Sequence, residues 1–262
     1  MSPDSGGNAA LDAKSFQGKT AVSAHRGGAG LWPENSLTAF RQACALPVHS
    51  VEFDVHPTAD GRIVVHHDPV LGRIVSGEGA VCAMNWDTLK RLRFKDHPEE
   101  RIPLLEEIVE VLKPSHLALR LELKAGPEKM VYPGFAKAVL DGLSDQGMLE
   151  RTMVSSFDTR FLEEVGALRP ALHRIWLIRA ALQQEIGLDA VIGKARSLGV
   201  PEIDPKLETI QDDWPAKAAA AGLAFGAYAA NDRAAIARAF ALDVAMFTTD
   251  RPDLATAIRD AL

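Results

Sequence analysis

The sequence predicts an α/β fold, a (β/α)8 TIM barrel carrying one β-hairpin, and three observations point there. Short β-type runs alternate with longer helix-period segments from about Thr20 to the end, with no Ser/Gly-rich linker between them. Of nine such runs, one is joined to its predecessor only by the tight turn Thr58-Ala59-Asp60-Gly61 and must return antiparallel, leaving eight that can all be parallel. The length, 262 residues, suits a single barrel of about 250. A doubly wound open sheet is the alternative architecture.

In chain order, the candidate strands are Thr20 to His25, Ser50 to Val55, Arg62 to His67, Leu117 to Lys124, Thr152 to Phe157, Arg174 to Ile178, Val200 to Asp204, Leu223 to Tyr228 and Val244 to Thr249. The clearest helices lie between them at Pro33 to Leu46 and Asp232 to Leu242. Residues 71–101 are Gly-rich and then charged, longer than an ordinary connection, and read as a small insertion over the C-terminal mouth. Residues 1–18 are small and polar, without a basic start followed by an apolar stretch. They are expected to be a flexible tail ahead of one domain over residues 19–262, in a cytoplasmic protein.

Composition removes several function classes. With 29 Lys and Arg against 35 Asp and Glu the net charge is −6, which argues against a basic nucleic-acid binder. No apolar run approaches the roughly 20 residues needed to span a bilayer, so no stable membrane insertion is expected. Cys44 and Cys82 lie in no metal-ligand or disulfide-framework pattern. The basic run Lys90-Arg91-Leu92-Arg93-Phe94-Lys95 reads as a solvated helix face on this acidic chain.

The chemistry-bearing residues stand at the C-terminal ends of strands, where barrel active sites are built. These are His25-Arg26-Gly27-Gly28, Glu52-Phe53-Asp54, His66-His67-Asp68 and Glu122-Leu123-Lys124. Glu52 and Asp54, two apart on a strand, share a face, and Glu122 and Lys124 repeat that spacing. A hairpin centred on Thr58 to Gly61 pairs positions summing to about 119, which puts His67 opposite Glu52 and turns His66 away; a slip of one residue would exchange them. His66 is accordingly given a structural or supporting role. Three carboxylates without a nearby cysteine form a hard-oxygen cage for one divalent cation, Mg²⁺ or Ca²⁺. Two imidazoles can exchange protons near neutral pH, and Arg26 and Lys124 can hold a phosphate, so the set points to hydrolysis of a phosphate ester. His49, His56, His97, His116 and His173 are given no chemistry.

On these residues the chain resembles the glycerophosphodiester phosphodiesterases, a branch of the phospholipase-C-like phosphodiesterase barrels. The likeness rests on HRGG at His25, PENS at Pro33 to Ser36, VEFDVHPTADGRIVVHHDP from Val51 to Pro69, IPLLEE at Ile102, LELK at Leu121, SSF at Ser155 and TTDRP at Thr248. It implies a metal-dependent barrel that converts glycerophosphodiesters to glycerol 3-phosphate and an alcohol. Glu52, Asp54 and Glu122 would hold Mg²⁺ or Ca²⁺, and His25 and His67 would be the acid/base pair. Arg26 and Lys124 would contact phosphate, and Glu34 and Asn35 would support the first loop. In such enzymes the substrate's own glycerol hydroxyl is thought to attack first, giving a cyclic phosphate that water opens.

The chain departs from the family pattern in places. Arg73-Ile74-Val75 stands for Arg-Thr-Thr, PENS for PENT, and Tyr228-Ala229-Ala230-Asn231 for Trp-Thr-Val-Asn. Tyr228 keeps an aromatic wall for the substrate but adds a hydroxyl, which bears on the alcohol preference. Two rival readings follow. One is the same barrel acting on lysophospholipids or other phosphodiesters; the other is a barrel that binds a phosphate ligand without turnover.

Overall fold

The computed structural model describes residues 20–262, so the tail expected for residues 1–18 lies outside the described residues. The Val-, Ile-, Leu- and Phe-rich runs form β1 (Ala21–His25), β2 (Ser50–Pro57), β3 (Ile63–Val65), β4 (Ala118–Leu123), β5 (Thr152–Ser156), β6 (Arg174–Ile178), β7 (Glu202–Pro205), β8 (Ala224–Phe225) and β9 (Met246–Thr249). The helices are α1 (Leu37–Ala43), α2 (Trp86–Leu89), α3 (Leu105–Leu112), α4 (Phe135–Asp145), α5 (Thr159–Leu168), α6 (Ala180–Ser197), α7 (Trp214–Ala220), α8 (Arg233–Ala241) and α9 (Pro252–Arg259). All strands but β3 run parallel, in the order β8-β7-β6-β5-β4-β2-β1-β9. The seam between β8 and β9 is closed by a parallel bridge of Ala227 with Phe247 and by Ala245 N–H donating to the Phe225 carbonyl at 2.8 Å. This is the barrel, not the open sheet.

Alternation along the strands decides what faces where. On β2, Val51, Phe53 and Val55 join the main apolar core under the helices, while Ser50, Glu52 and Asp54 take the other face. Helix α3 answers with Leu105, Ile108, Val109 and Leu112, the i, i+3, i+4, i+7 stripe of an amphipathic helix. Local caps set the helix starts: Ser36 accepts from Ala39 N–H, and Asp232 from Ala235 N–H. The lumen is filled low down by a separate apolar cluster of Ala21, Ala118, Met153, Ile175, Leu177 and Met246. Buried Arg120 on β4 bonds Asp204 on β7 at 2.6 Å, and Glu202 bonds His173 at 2.6 Å. Gly226 makes room for that layer, since a Cβ there would lie 2.3 Å from the Asp204 carboxylate.

The hairpin register departs from expectation by one residue. Val55 pairs with Val65, His56 with Val64 and Pro57 with Ile63, a sum of 120 instead of 119. The turn is tighter than the four residues assumed, because Thr58 pairs back with Arg62: its N–H donates to the Arg62 carbonyl at 2.8 Å and its hydroxyl accepts from Arg62 N–H at 2.9 Å. Three residues then close the loop, with Gly61 at φ 77°. His66, not His67, lies beside Asp54 in the ladder, donating its N–H to the Asp54 carbonyl at 2.9 Å. Strand β3 ends at Val65, and the chain after it no longer follows strand alternation.

Residues 71–101 build a small apolar core of their own. Leu71, Val75, Val81, Leu89 and Phe94 pack with Val64, Ile102 and Leu104, and bridges join Val70 to Ala80 and Val75 to Phe94. The insertion flanks the rim of the barrel.

Candidate active site

At the C-terminal ends of the strands lies a cavity of about 220 Å³ lined by His25, Arg26, Glu52, His67, Arg120, Glu122, Lys124, Ser155, Phe157, Leu177, Tyr228 and Thr248. Glu52, Asp54 and Glu122 are all buried and offer oxygens within 4.8 Å of one another. Lys124 Nζ stands 2.9 Å from Glu122 and 3.4 Å from Asp54, and Arg26 Nε stands 3.4 Å from Asp54. The structure thus brings together the carboxylates and cations that the sequence singled out.

The turn after β1 is shaped to reach this cluster. Arg26 adopts φ 51° and Asn35 φ 56°, the left-handed region that non-glycine residues seldom occupy. In that conformation Arg26 N–H donates to Glu52 at 3.2 Å and Asn35 Nδ2 donates to Asp54 at 2.9 Å. Gly27 cannot be replaced without movement, because a Cβ there would sit 2.8 Å from that of Ala39. Glu34 receives Arg26 Nη1 at 2.9 Å.

The electrostatics of the three carboxylates are uneven. Burial, and next the charge of Asp54, push Glu52 up to about 7. Asp54 is equally buried, yet Lys124 and Arg26 outweigh that and hold it well below the usual carboxylate range. Burial disfavours the Lys124 ammonium, but Glu122 and Asp54 more than compensate and raise its pKa. Asp54 Oδ1 is buried without a hydrogen-bond partner. A buried carboxylate oxygen that makes no hydrogen bond and meets only the Lys124 ammonium at 3.4 Å, among three acidic side chains, suits a hard divalent cation, so the donor set fits Mg²⁺ or Ca²⁺.

His25 and His67 are each held at Nδ1 by a carboxylate, and Nε2 makes no hydrogen bond among the described residues. His25 bonds Asp250 at 2.5 Å and His67 bonds Asp68 at 2.7 Å. Burial alone would lower the His25 pKa, but the bond to Asp250 and the nearby Glu52 raise it. Asp250 is fixed in turn by Asn231, whose Nδ2 donates to its other oxygen at 2.6 Å and whose Oδ1 accepts the Asp250 N–H at 2.9 Å. Arg73 ties Asp68 (2.6 Å) to Glu34 (2.9 and 2.5 Å), so the insertion braces both loops without lining the cavity. His66 is buried, and its pKa is pushed down to about 4 by that burial. His56 bonds Tyr132 at 3.0 Å and the His67 carbonyl at 3.2 Å from beneath.

Tyr228 forms an aromatic wall with Phe157, edge to face at 5.5 Å. Its added hydroxyl is not turned to the cavity, because it donates to the Ile178 carbonyl at 3.0 Å. Asp68, Arg73, Arg120, Phe157, Asn231 and Asp250 received no role from the sequence. Two of them carried a usable signal: Asp250 directly follows β9, and Arg120 lies two residues before Glu122 on the same face of β4.

The family model for the glycerophosphoryl diester phosphodiesterase family matches residues 25–254. A glycerophosphodiester phosphodiesterase of Caldanaerobacter subterraneus subsp. tengcongensis is 34% identical over 159 residues, covering 59% of this chain and 65% of that relative, just under two thirds of its length. A solved structure from Agrobacterium tumefaciens is 36% identical, with a TM-score of 0.91 over 93% of this chain and 98% of that one. A phosphodiesterase of Oleispira antarctica, solved with the product sn-glycerol 3-phosphate, shares the fold at 24% identity, with a TM-score of 0.79 over 95% of this chain and 99% of that one.

Proposed function

Because the chain belongs to the glycerophosphoryl diester phosphodiesterase family, we propose that it hydrolyses glycerophosphodiesters to glycerol 3-phosphate and an alcohol, with a divalent cation and a His25/His67 acid/base pair. The observation that carries this reading is the convergence of Glu52, Asp54 and Glu122 beneath a cavity lined by both histidines. The product complex of the Oleispira antarctica relative supports the substrate class. One domain over residues 19–262 would carry the whole site.

A bound Mg²⁺ or Ca²⁺, held by Glu52, Asp54 and Glu122, would polarise the phosphoryl oxygen and neutralise its charge. Arg26 and Lys124 bind the phosphodiester as cations on the cavity wall. One imidazole takes the proton of the attacking glycerol hydroxyl and the other gives one to the departing alcohol; with their roles exchanged the same pair deprotonates the water that opens the cyclic phosphate and reprotonates the glycerol hydroxyl, all through Nε2. Asp250 and Asp68 keep the rings aligned, and Glu34 and Asn35 hold the loop that presents Arg26. Tyr228 and Phe157 supply the apolar wall for the organic part of the substrate.

Among the described residues no helix is long and apolar enough to cross a membrane. The proposed setting is the cytoplasm, where two free thiols stay reduced. A metal-titrated hydrolysis panel tests the activity. Glycerophosphocholine should be cleaved with Mg²⁺ or Ca²⁺ and spared with excess chelator, and lysophosphatidylcholine should be a poor substrate for a cavity of about 220 Å³. Preference for the lysolipid would favour the lysophospholipase D reading, and metal binding without hydrolysis the non-catalytic one.

A further inference from the structure

Beside the main cavity is a second recess of about 130 Å³, which shares Glu122, Lys124 and Phe157 with it and adds Lys129, Asp158 and Arg179. By its position it is where the alcohol part of a diester would extend once the phosphate is at Lys124. Its size suits a short head group and not an acyl chain.

Its charge is one-sided. Glu122 is engaged by Lys124, and Asp158 is saturated by Arg160 through bonds of 2.9 and 2.6 Å. Lys129 and Arg179 have no ion-pair partner among the described residues. The Arg179 guanidinium lies over the Phe157 ring at 4.9 Å and Lys124 approaches the same ring at 5.9 Å. The aromatic face that would attract a quaternary ammonium is thus already engaged by protein cations.

The backbone that carries Lys129 is fixed. Glu128 and Lys129 both adopt left-handed conformations, φ 54° and 61°. The turn is closed by Gly126 N–H donating to the Met130 carbonyl at 2.8 Å, and Arg160 Nη2 donates to the Lys129 carbonyl at 2.9 Å. Two consecutive non-glycine residues in that region are strained and persist only where the surroundings impose them.

The geometry points to a subsite for an acidic head group: Lys129 and Arg179, flanking Phe157, select glycerophosphodiesters whose alcohol carries its own phosphate or carboxylate. This rests on the proposed phosphodiesterase activity and names its substrate class. The test compares kcat/KM for four diesters whose alcohols are choline, glycerol, glycerol phosphate and glycerate, the last two separating a phosphate from a carboxylate as the recognised group. The expected result is that at least one acidic diester exceeds the glycerol diester, with the choline diester lowest, and that the acidic preference fades at high salt. Arg179→Gln and Lys129→Gln should each lower the acidic-to-neutral ratio about fivefold, the upper end for exposed ion pairs, and Arg179→Glu should move the preference toward choline. Both side chains are exposed, so these variants should fold. Cleavage of the glycerol diester with a flat or choline-favouring profile, or ratios unmoved by the three substitutions, overturns the subsite alone. Cleavage of none of the four overturns the activity itself and the subsite with it.

Discussion

Asp250→Asn should be more damaging than removal of the side chain altogether, for a reason set by Asn231. In the native site Asp250 accepts on both oxygens, from His25 Nδ1 at 2.5 Å and from Asn231 Nδ2 at 2.6 Å. Asn231 cannot turn over without cost, because its Oδ1 accepts the Asp250 backbone N–H at 2.9 Å. An amide at position 250 must therefore give its oxygen to Asn231 and its NH₂ to His25. A donor facing Nδ1 makes that nitrogen an acceptor, moves the proton of the neutral ring to Nε2 and repels the imidazolium. With the wrong tautomer the enzyme loses most of what a positioned acid or base contributes, about 100- to 1000-fold in kcat with little change in KM. Asp250→Ala leaves Nδ1 without a partner but enforces no tautomer, so it should retain several-fold more activity. In the double variant Asn231→Ala, Asp250→Asn the new amide can rotate its oxygen toward His25, and part of the rate should return. Steady-state kinetics on glycerophosphocholine, with ¹⁵N chemical shifts of the His25 ring as a direct view of the tautomer, measure this. A kcat for Asp250→Asn within threefold of wild type, or a double variant no better than the single, would show that the His25 tautomer does not limit the rate.

Glu52→Ala should abolish both calorimetric Mg²⁺ or Ca²⁺ binding and hydrolysis, whereas His67→Ala should keep the binding and lose at least about 100-fold in rate; ion binding that survives the first, or a near-normal rate in the second, contradicts the assignment. Arg120→Met strands Asp204 in the lumen and should destabilise the fold by about 3–5 kcal/mol in urea titration, with most of that recovered when Asp204 is also made Leu; additive losses would show that the two are not coupled. For stability against pH, His173 is informative. Burial lowers its pKa, but the bond to Glu202 at 2.6 Å raises it above 6.5 overall. A raised folded-state value means that its contribution is complete below pH 6.5 and lost as pH climbs through the raised pKa. Over that window the stability of wild type should fall relative to His173→Asn, and parallel curves would contradict the ion pair.

The barrel was legible because its signals are local and repeated. Eight runs separated by helix-length segments leave few ways to close a sheet, and the tight turn at Thr58 marked the exception. The carboxylates were legible for the same reason: Glu52, Asp54 and Glu122 owe their shared direction to strand alternation, which needs no tertiary information. What escaped depended on a single residue or on distant pairing. The hairpin register was off by one because the Thr58 hydroxyl closes the loop on Arg62, a side-chain bond that turn length alone does not reveal. His67 lines the cavity for a reason other than the expected one, since the chain has left β3 by the time it reaches that residue.

The partners of the two histidines show the same division. Asp68 is adjacent to His67 in sequence, but its role is visible only once Arg73, from the insertion, is seen to hold it. Asp250 and His25 are 225 positions apart and meet because β1 and β9 are neighbours at the barrel's closing edge. Closure therefore does more than remove two sheet edges: it joins the first strand's imidazole to the last strand's carboxylate. A lesion that loosens the β1–β9 pairing from the lumen side, such as a bulky residue at buried Ser23 opposite Thr248, should lower kcat before it unfolds the protein, because the 2.5 Å contact is lost with a small shift between strands whereas the core under the helices, on the other face of β1, is not.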